Sequence, residues 1–148
     1  MVGGATNTTS FGVIAEATTN VSLTNATIDG FTIGIEMQAG TAKIRATTIA
    51  NCGRGIDLVG GSLDLGTPMD LGANVLQTNK STGLVVEGSS SVATTLTVNA
   101  VGNTWIPKVQ GTDANGQYTS GTLRGPYGTS APSPNNIVIE QPGSKVVH

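Results

Sequence analysis

Charged and aromatic side chains are scarce in this chain of 148 residues: Asp, Glu, Lys and Arg make up 11% of it, and Phe, Trp and Tyr only 3%. A soluble helical protein normally carries far more Lys and Glu, so the composition favours an all-β fold. With a net charge of −2 and no basic stripe, the chain lacks the electrostatic footprint of a nucleic-acid-binding protein. Its apolar runs are short, so the sequence predicts no transmembrane helix.

The chain contains one cysteine and one histidine, Cys52 and His148. A single cysteine excludes an internal disulfide. The histidine is the last residue, which leaves no partner nearby in sequence to activate a thiol nucleophile. We therefore expect Cys52 to pack as a small hydrophobic residue in the core.

The most informative feature that the sequence does contain is an internal repeat. Gly34-Ile35-Glu36-Met37 recurs 21 residues later as Gly55-Ile56-Asp57-Leu58, and weaker copies precede and follow these two. The earlier copy is Phe11-Gly12-Val13, and the later one is Thr82-Gly83-Leu84. A period near 20 residues, built from short apolar alternations separated by Gly and Asn, predicts a solenoid in which each repeat is one coil.

Each predicted coil holds two or three short strands. Phe31 to Met37 places apolar side chains at odd positions and polar residues or Gly at even ones, the period of a half-buried strand. We predict an all-β parallel β-helix of about five coils over residues 1–107. The Gly-, Pro-, Ser- and Asn-rich residues 108–148 are predicted to form a loop-rich cap or extension.

Equivalent side chains of stacked coils should form buried ladders, and burying one Leu or Ile is worth roughly 1.5–3 kcal/mol. The glycine before each repeated Ile or Leu indicates a positive φ or a close approach between coils. The predicted ladder residues are Ile35, Ile56 and Leu84, Met37 and Leu58, and Phe31 and Cys52.

The solenoid ends should need covering, because an end exposes unpaired backbone and apolar core. Residues 1–10 are too small and polar to seal the first coil at Phe11, whereas Trp105 can plug the last one. Ile137, Val138 and Ile139 form the last predicted strand, which closes the solenoid or reaches a neighbouring chain. Together these five residues are the predicted end contacts.

Three later segments carry a family resemblance: Leu63-Asp64-Leu65-Gly66-Thr67-Pro68, Asn99-Ala100-Val101-Gly102-Asn103-Thr104-Trp105 and Gly111-Thr112-Asp113-Ala114-Asn115-Gly116. With the preceding coils, over about residues 10 to 120, they resemble the end of a bacterial β-helix family of unknown function in the pectate-lyase-like superfamily. The resemblance implies a right-handed parallel β-helix and an exported or cell-surface protein. It transfers no catalytic residues, because that family has no established reaction.

Two carboxylates occupy equivalent places in the repeat, Glu36 and Asp57. Stacked on the outer face, they can bind Ca²⁺ or share a proton. The resemblance to pectate-lyase-like enzymes implies an Arg or Lys base nearby, for which Arg54 and Lys80 are the available cations. The alternative is a solvated pair neutralised by Arg54 or Lys43.

Asp113 begins a sequence that resembles half of a calcium loop, although Asx-Gly turns of this kind are common. No cofactor is predicted, and Ca²⁺ is the one ion that these carboxylates suggest.

Three functional hypotheses follow. The first is a non-enzymatic structural or adhesive module, located outside the cell or on a bacterial-type surface. The second is a polysaccharide lyase-like or carbohydrate-binding β-helix, which the low aromatic content disfavours. The third is self-assembly through the solenoid ends. No signal peptide is visible after Met1, so an exported protein implies a mature form or an excised segment.

Overall fold

The computed structural model describes residues 9–87, 96–106, 122–124, 137–139 and 145–147. It is all-β and has the architecture of a right-handed parallel β-helix, as the repeat and the resemblance predicted. Three sheets, named A, B and C here, run along the solenoid, and from β1 to β12 each coil contributes one strand to each sheet in turn. No helix long and apolar enough to cross a membrane occurs among the described residues.

The strands are short, mostly of three or five residues. Sheet A has the spatial order β1 (Phe11–Ala15), β4 (Ile33–Met37), β7 (Arg54–Leu58), β10 (Thr82–Val86) and β14 (Ile137–Ile139). Sheet B has the order β2 (Asn20–Thr24), β5 (Thr41–Arg45), β8 (Ser62–Asp64), β11 (Thr97–Asn99), β15 (Lys145–Val147) and β13 (Thr122–Arg124). Sheet C has the order β3 (Thr27–Asp29), β6 (Thr48–Ala50), β9 (Val75–Gln77) and β12 (Thr104–Ile106).

The register of sheet A follows the repeat. Ile35 pairs with Ile56 and Ile56 with Leu84, and all three side chains are fully buried. Met37 and Leu58 pair in the same way and are also fully buried. Among the remaining predicted ladder residues, Cys52 is fully buried, whereas Phe31 is partly buried against the core.

The glycines of sheet A mark close approaches between coils. A Cβ atom placed on Gly34 would lie 2.5 Å from the carbonyl oxygen of Gly55 and 3.2 Å from Cys52 Sγ. Real Cβ atoms do not approach other atoms this closely, so the residue type is fixed by space. Positive φ values occur elsewhere, at the corners between sheets.

Each of the three corners carries left-handed residues. The corner between sheets B and C has Asn25, Ala46, Ala73 and Gly102, with φ between 48° and 76°. The corner between C and A has Gly30, Asn51 and Thr78. The corner between A and B has Thr18, Gly40 and Gly61. A non-glycine residue in this region costs about 1–2 kcal/mol, so the packing of the sheets must hold these corners in place.

A buried polar ladder lines the corner between sheets B and C. It consists of Thr47, Asn74 and Asn103, each at most 1% exposed. Asn74 Oδ1 accepts a hydrogen bond from the backbone N–H of Thr47 at 3.0 Å, and Asn74 Nδ2 donates to Asn103 Oδ1 at 2.8 Å. Buried side-chain amides thereby satisfy the backbone groups that the turn would otherwise leave unpaired.

The strands after residue 107 extend the sheets of the solenoid. β14 pairs in parallel with β10, so Ile137 stacks on Leu84, and only 2% of Ile137 is exposed. β15 pairs in parallel with β11, and β13 lies antiparallel to β15. The side chains of Val138 and Ile139 lie outside the described residues. Their strand adds to sheet A within the molecule, and contact of Ile137, Val138 and Ile139 with a neighbouring chain stays a prediction.

Candidate functional site

The outer face of sheet A carries the charged residues that the repeat singled out. Glu36 and Asp57 are register partners on β4 and β7, so their side chains stack one coil apart. Arg54 begins β7, and Glu87 follows directly after β10. We call Glu36, Arg54, Asp57 and Glu87 the sheet A cluster.

Arg54 joins two carboxylates of this cluster. Its Nη1 lies 2.5 Å from Asp57 Oδ2 and also contacts Glu87 Oε1. The expectation of a solvated pair is wrong for Asp57, which is only 3% exposed. Lys43 takes no part, because its strand belongs to sheet B and its ammonium group pairs with Asp70 at 2.7 Å.

The electrostatics of Asp57 reflect this burial. Loss of solvation raises the pKa of Asp57 above its ordinary value, Arg54 opposes that rise, and the charges of Glu87 and Glu36 add to it. Asp57 Oδ1 is buried and accepts no hydrogen bond. The site therefore disfavours the ionised carboxylate even with a guanidinium group beside it.

Arg54 is poorly suited to act as a base. Burial acts to lower its pKa, but its hydrogen bonds and charge interactions with Asp57 and Glu87 outweigh that effect, and the net pKa is raised. A guanidinium group held between two carboxylates stays protonated. Lys80, the other cation that the sequence offered, is exposed and forms no ion pair with a described residue.

The carboxylates of the cluster are not grouped as metal ligands. Within the described ranges, no group of three or more His, Cys, Asp or Glu side chains is arranged to hold one. Asp113, with its resemblance to half of a calcium loop, lies outside the described residues. Ca²⁺ binding at that position remains a prediction.

A second charged cluster fixes the insertion between sheets B and C. Arg45 Nη2 contacts Asp64 Oδ2 at 2.8 Å and Asp70 Oδ2 at 3.0 Å, while Arg45 Nη1 donates to the carbonyl oxygen of Asp64. Lys43 completes the arrangement through Asp70. The hydrogen bonds from Arg45 and Lys43 lower the pKa of Asp70 to about 2. This cluster ties the loop at Pro68 to sheet B, and we assign it a structural role.

The predicted end contacts occupy different environments. Phe11 is partly exposed on β1, at the edge of sheet A, where it pairs with Ile33. Trp105 lies in β12, the last strand of sheet C, and is fully buried with Leu76 as its register partner. Its indole Nε1 has no hydrogen-bond partner among the residues that the structure describes. A ring without exposed area cannot stack on a sugar, so Trp105 serves the core.

Sequence reasoning missed four contributors to these sites: Glu87, Arg45, Asp64 and Asp70. Glu87 comes directly after the sheet A strand of its coil, the position that Gln38 and Val59 occupy in the two preceding coils. Since neither of those residues is acidic, the repeat gave no signal for an acid there. Asp70 lies in the insertion, where the repeat offers no alignment. The one available signal was the unusual placement of Arg45, which follows the buried Ile44 in a chain with few charges.

Fold and site together define the class: an all-β parallel solenoid with a partly buried cluster of one arginine and three carboxylates on one face. Comparison of the chain with family models, with curated proteins and with solved structures finds no match. The fold is therefore established by the structure, while the family resemblance is carried forward as a proposal.

Proposed function

We propose that this protein is a non-enzymatic structural or adhesive β-solenoid module of an extracellular or bacterial-type surface. The observation that carries the proposal is the state of the sheet A cluster. Arg54 is committed to Asp57 and Glu87 and stays protonated, so it does not supply the base that a lyase-like site would need. The proposal includes membership of the pectate-lyase-like superfamily and self-association through the solenoid ends.

The lateral surface supports an adhesive role. Exposed polar side chains of successive coils form hydrogen-bonded ladders: Asn51 Nδ2 donates to Asp29 Oδ1 at 2.6 Å, and Thr78 Oγ1 donates to Asn51 Oδ1 at 2.8 Å. Such a ladder presents ordered donors and acceptors at the spacing of the coils, about 4.8 Å. A surface polysaccharide offers hydroxyl groups that match this chemistry.

One experiment separates adhesion from catalysis. The protein is incubated with a panel of uronic-acid polymers and surface polysaccharides, with and without Ca²⁺, and both retention on the polymer and release of unsaturated oligosaccharides are measured. We expect retention on at least one polysaccharide without cleavage. Loss of retention in an Asn51→Asp variant, but not in an Asn20→Asp variant, would assign binding to the ladder.

The alternative is a carbohydrate-active, polysaccharide lyase-like β-helix, favoured by the presence of three carboxylates on one face. Its signature would be unsaturated products that disappear in both Glu36→Gln and Asp57→Asn variants. Detection of those products would replace the structural proposal. Absence of both retention and products across the panel would remove the adhesive part of it.

A further inference from the structure

The first coil exposes an unpaired edge on each of its three sides. β1, β2 and β3 end sheets A, B and C, and no strand within the described ranges pairs with their outer edges. Backbone groups on such an edge are free to pair with another strand.

In β2, Thr19 O accepts from Thr41 N at 3.0 Å and Asn25 N donates to Arg45 O at 3.1 Å. Odd-numbered residues therefore face β5, and the backbone groups of Asn20, Ser22 and Thr24 point to the open side.

Some apolar residues of this coil are incompletely covered, although Ala15 and Ile28 are buried. Val13 and Leu23 are only partly buried, whereas their register partners one coil further on, Ile35 and Ile44, are fully buried. The difference marks the end of the core as a partly exposed apolar surface. Covering such a surface is favourable at about 25 cal/mol per Å².

This edge lacks the usual protection against pairing. Natural edge strands carry Lys or other charged residues, or Pro, and these residues prevent association. Residues 9–32 contain no Lys, Arg or Pro, and their charged residues are Glu16 and Asp29. The opposite end differs, because sheet B there finishes in β13, which runs antiparallel to its neighbour and includes Arg124.

We propose that this edge pairs with the same edge of a second copy, giving a closed head-to-head dimer. The inference rests on the self-association part of the proposed function and specifies its geometry. Strand lengths favour one arrangement: β1 and β2 have five residues each, and β3 has three. A two-fold axis through the middle of β3 stacks β1 on β2 of the partner subunit and β3 on its counterpart, antiparallel and without a length mismatch.

Head-to-tail stacking matches strand lengths only on sheet C, where β3 would meet β12. On the other sheets β1 and β2 would meet β14 and β13, each of three residues, and β13 interrupts the parallel order of sheet B. The head-to-head contact is therefore favoured over continued growth. The two unprotected edges bury each other, and the dimer has no further free copy of that edge.

The test combines mass and edge accessibility in the full chain. We expect light scattering after gel filtration to give twice 14.9 kDa, and amide exchange to show protection at Ser22 and Thr27 that is lost on dilution. Ser22→Pro removes an outward N–H at an exposed position and should yield a folded monomer, whereas Ser22→Ala should remain dimeric. Thr27→Pro, with Thr27→Ala as its control, repeats the test on sheet C if Ser22→Pro fails to fold.

The other outcomes overturn the inference. A filament would keep self-association but exclude the head-to-head geometry. A monomer at high concentration would exclude both, whether its edge amides exchange freely or are covered by another segment. A dimer that persists in both proline variants would place the contact elsewhere on the molecule.

Discussion

Asn74 and Asn103 lie one coil apart at a buried corner, and Asn103 Oδ1 accepts two hydrogen bonds from Asn74: one from its backbone N–H at 3.1 Å and one from Nδ2 at 2.8 Å. Asn74 Nδ2 also donates to the carbonyl oxygen of Ile44 at 3.0 Å. One side chain thus connects three successive coils inside the core.

Replacing Asn74 with Ala should be strongly destabilising. It would leave the Thr47 N–H without its acceptor and remove a donor from two carbonyl oxygens, and each buried unsatisfied group costs about 1–3 kcal/mol. Urea denaturation measures the loss. Asn20→Ala, which removes the exposed acceptor of Thr41 Oγ1, should cost only about 0.5–1.5 kcal/mol. Equal losses for the two variants would contradict a structural role for the buried ladder.

Gly34→Ala should destabilise the solenoid by about 1–3 kcal/mol, because the new methyl group would meet the carbonyl oxygen of Gly55 and the side chains of Ile49 and Cys52. The control substitution, Ala46→Gly, should have the opposite effect on stability. Ala46 is exposed with φ of 48°, so Ala46→Gly relieves backbone strain and should be neutral or stabilising by up to about 1 kcal/mol. Thermal unfolding of both variants checks the pair, and tolerance of Gly34→Ala would disprove the close approach.

Asp57→Asn should raise the unfolding temperature at pH 7. The folded pKa of Asp57 lies above its unfolded value, so the folded state binds its proton more tightly and this group's contribution to stability falls as pH rises through the folded pKa. The neutral variant escapes that penalty, and its advantage should shrink toward pH 4, where the parent becomes protonated. Asp29→Asn makes the same change in net charge at an exposed residue. A variant that is less stable than the parent at every pH would show that the Arg54 ion pair outweighs burial.

Asp70 should contribute to acid unfolding in the opposite sense. Its folded pKa of about 2 lies below its unfolded value, so its stabilising contribution is present above pH 4 and is lost as pH falls toward 2. In Asp70→Asn, the part of the acid-induced loss that arises between pH 4 and pH 2 should decrease. Circular dichroism melts at intervals across that range measure it. An unchanged acid profile would mean that the contacts with Arg45 and Lys43 are too solvated to matter.

The fold could be predicted from the sequence because the repeat is local. Ile35 and Ile56 are 21 residues apart in equivalent contexts, and stacking them follows from the period alone. The burial of Asp57 did not follow, since the same alternation predicts a solvated carboxylate. The ion pair between Arg45 and Asp70 could not be predicted for another reason. Asp70 lies in an insertion that has no counterpart in the repeat, so its partners are set by three-dimensional packing.

The pairing of β14 with β10 also bears on the order of folding. Neighbouring coils of sheet A close over 21 to 28 residues, whereas Leu84 and Ile137 are separated by 53. Because the entropy of closure grows with the logarithm of loop length, this last rung costs about 0.6–0.8 kcal/mol more to form than a rung between adjacent coils. The earlier coils can assemble by successive short-range additions, and the carboxy-terminal rung joins an already formed template. It should be the last part of the solenoid to fold and the first to fray.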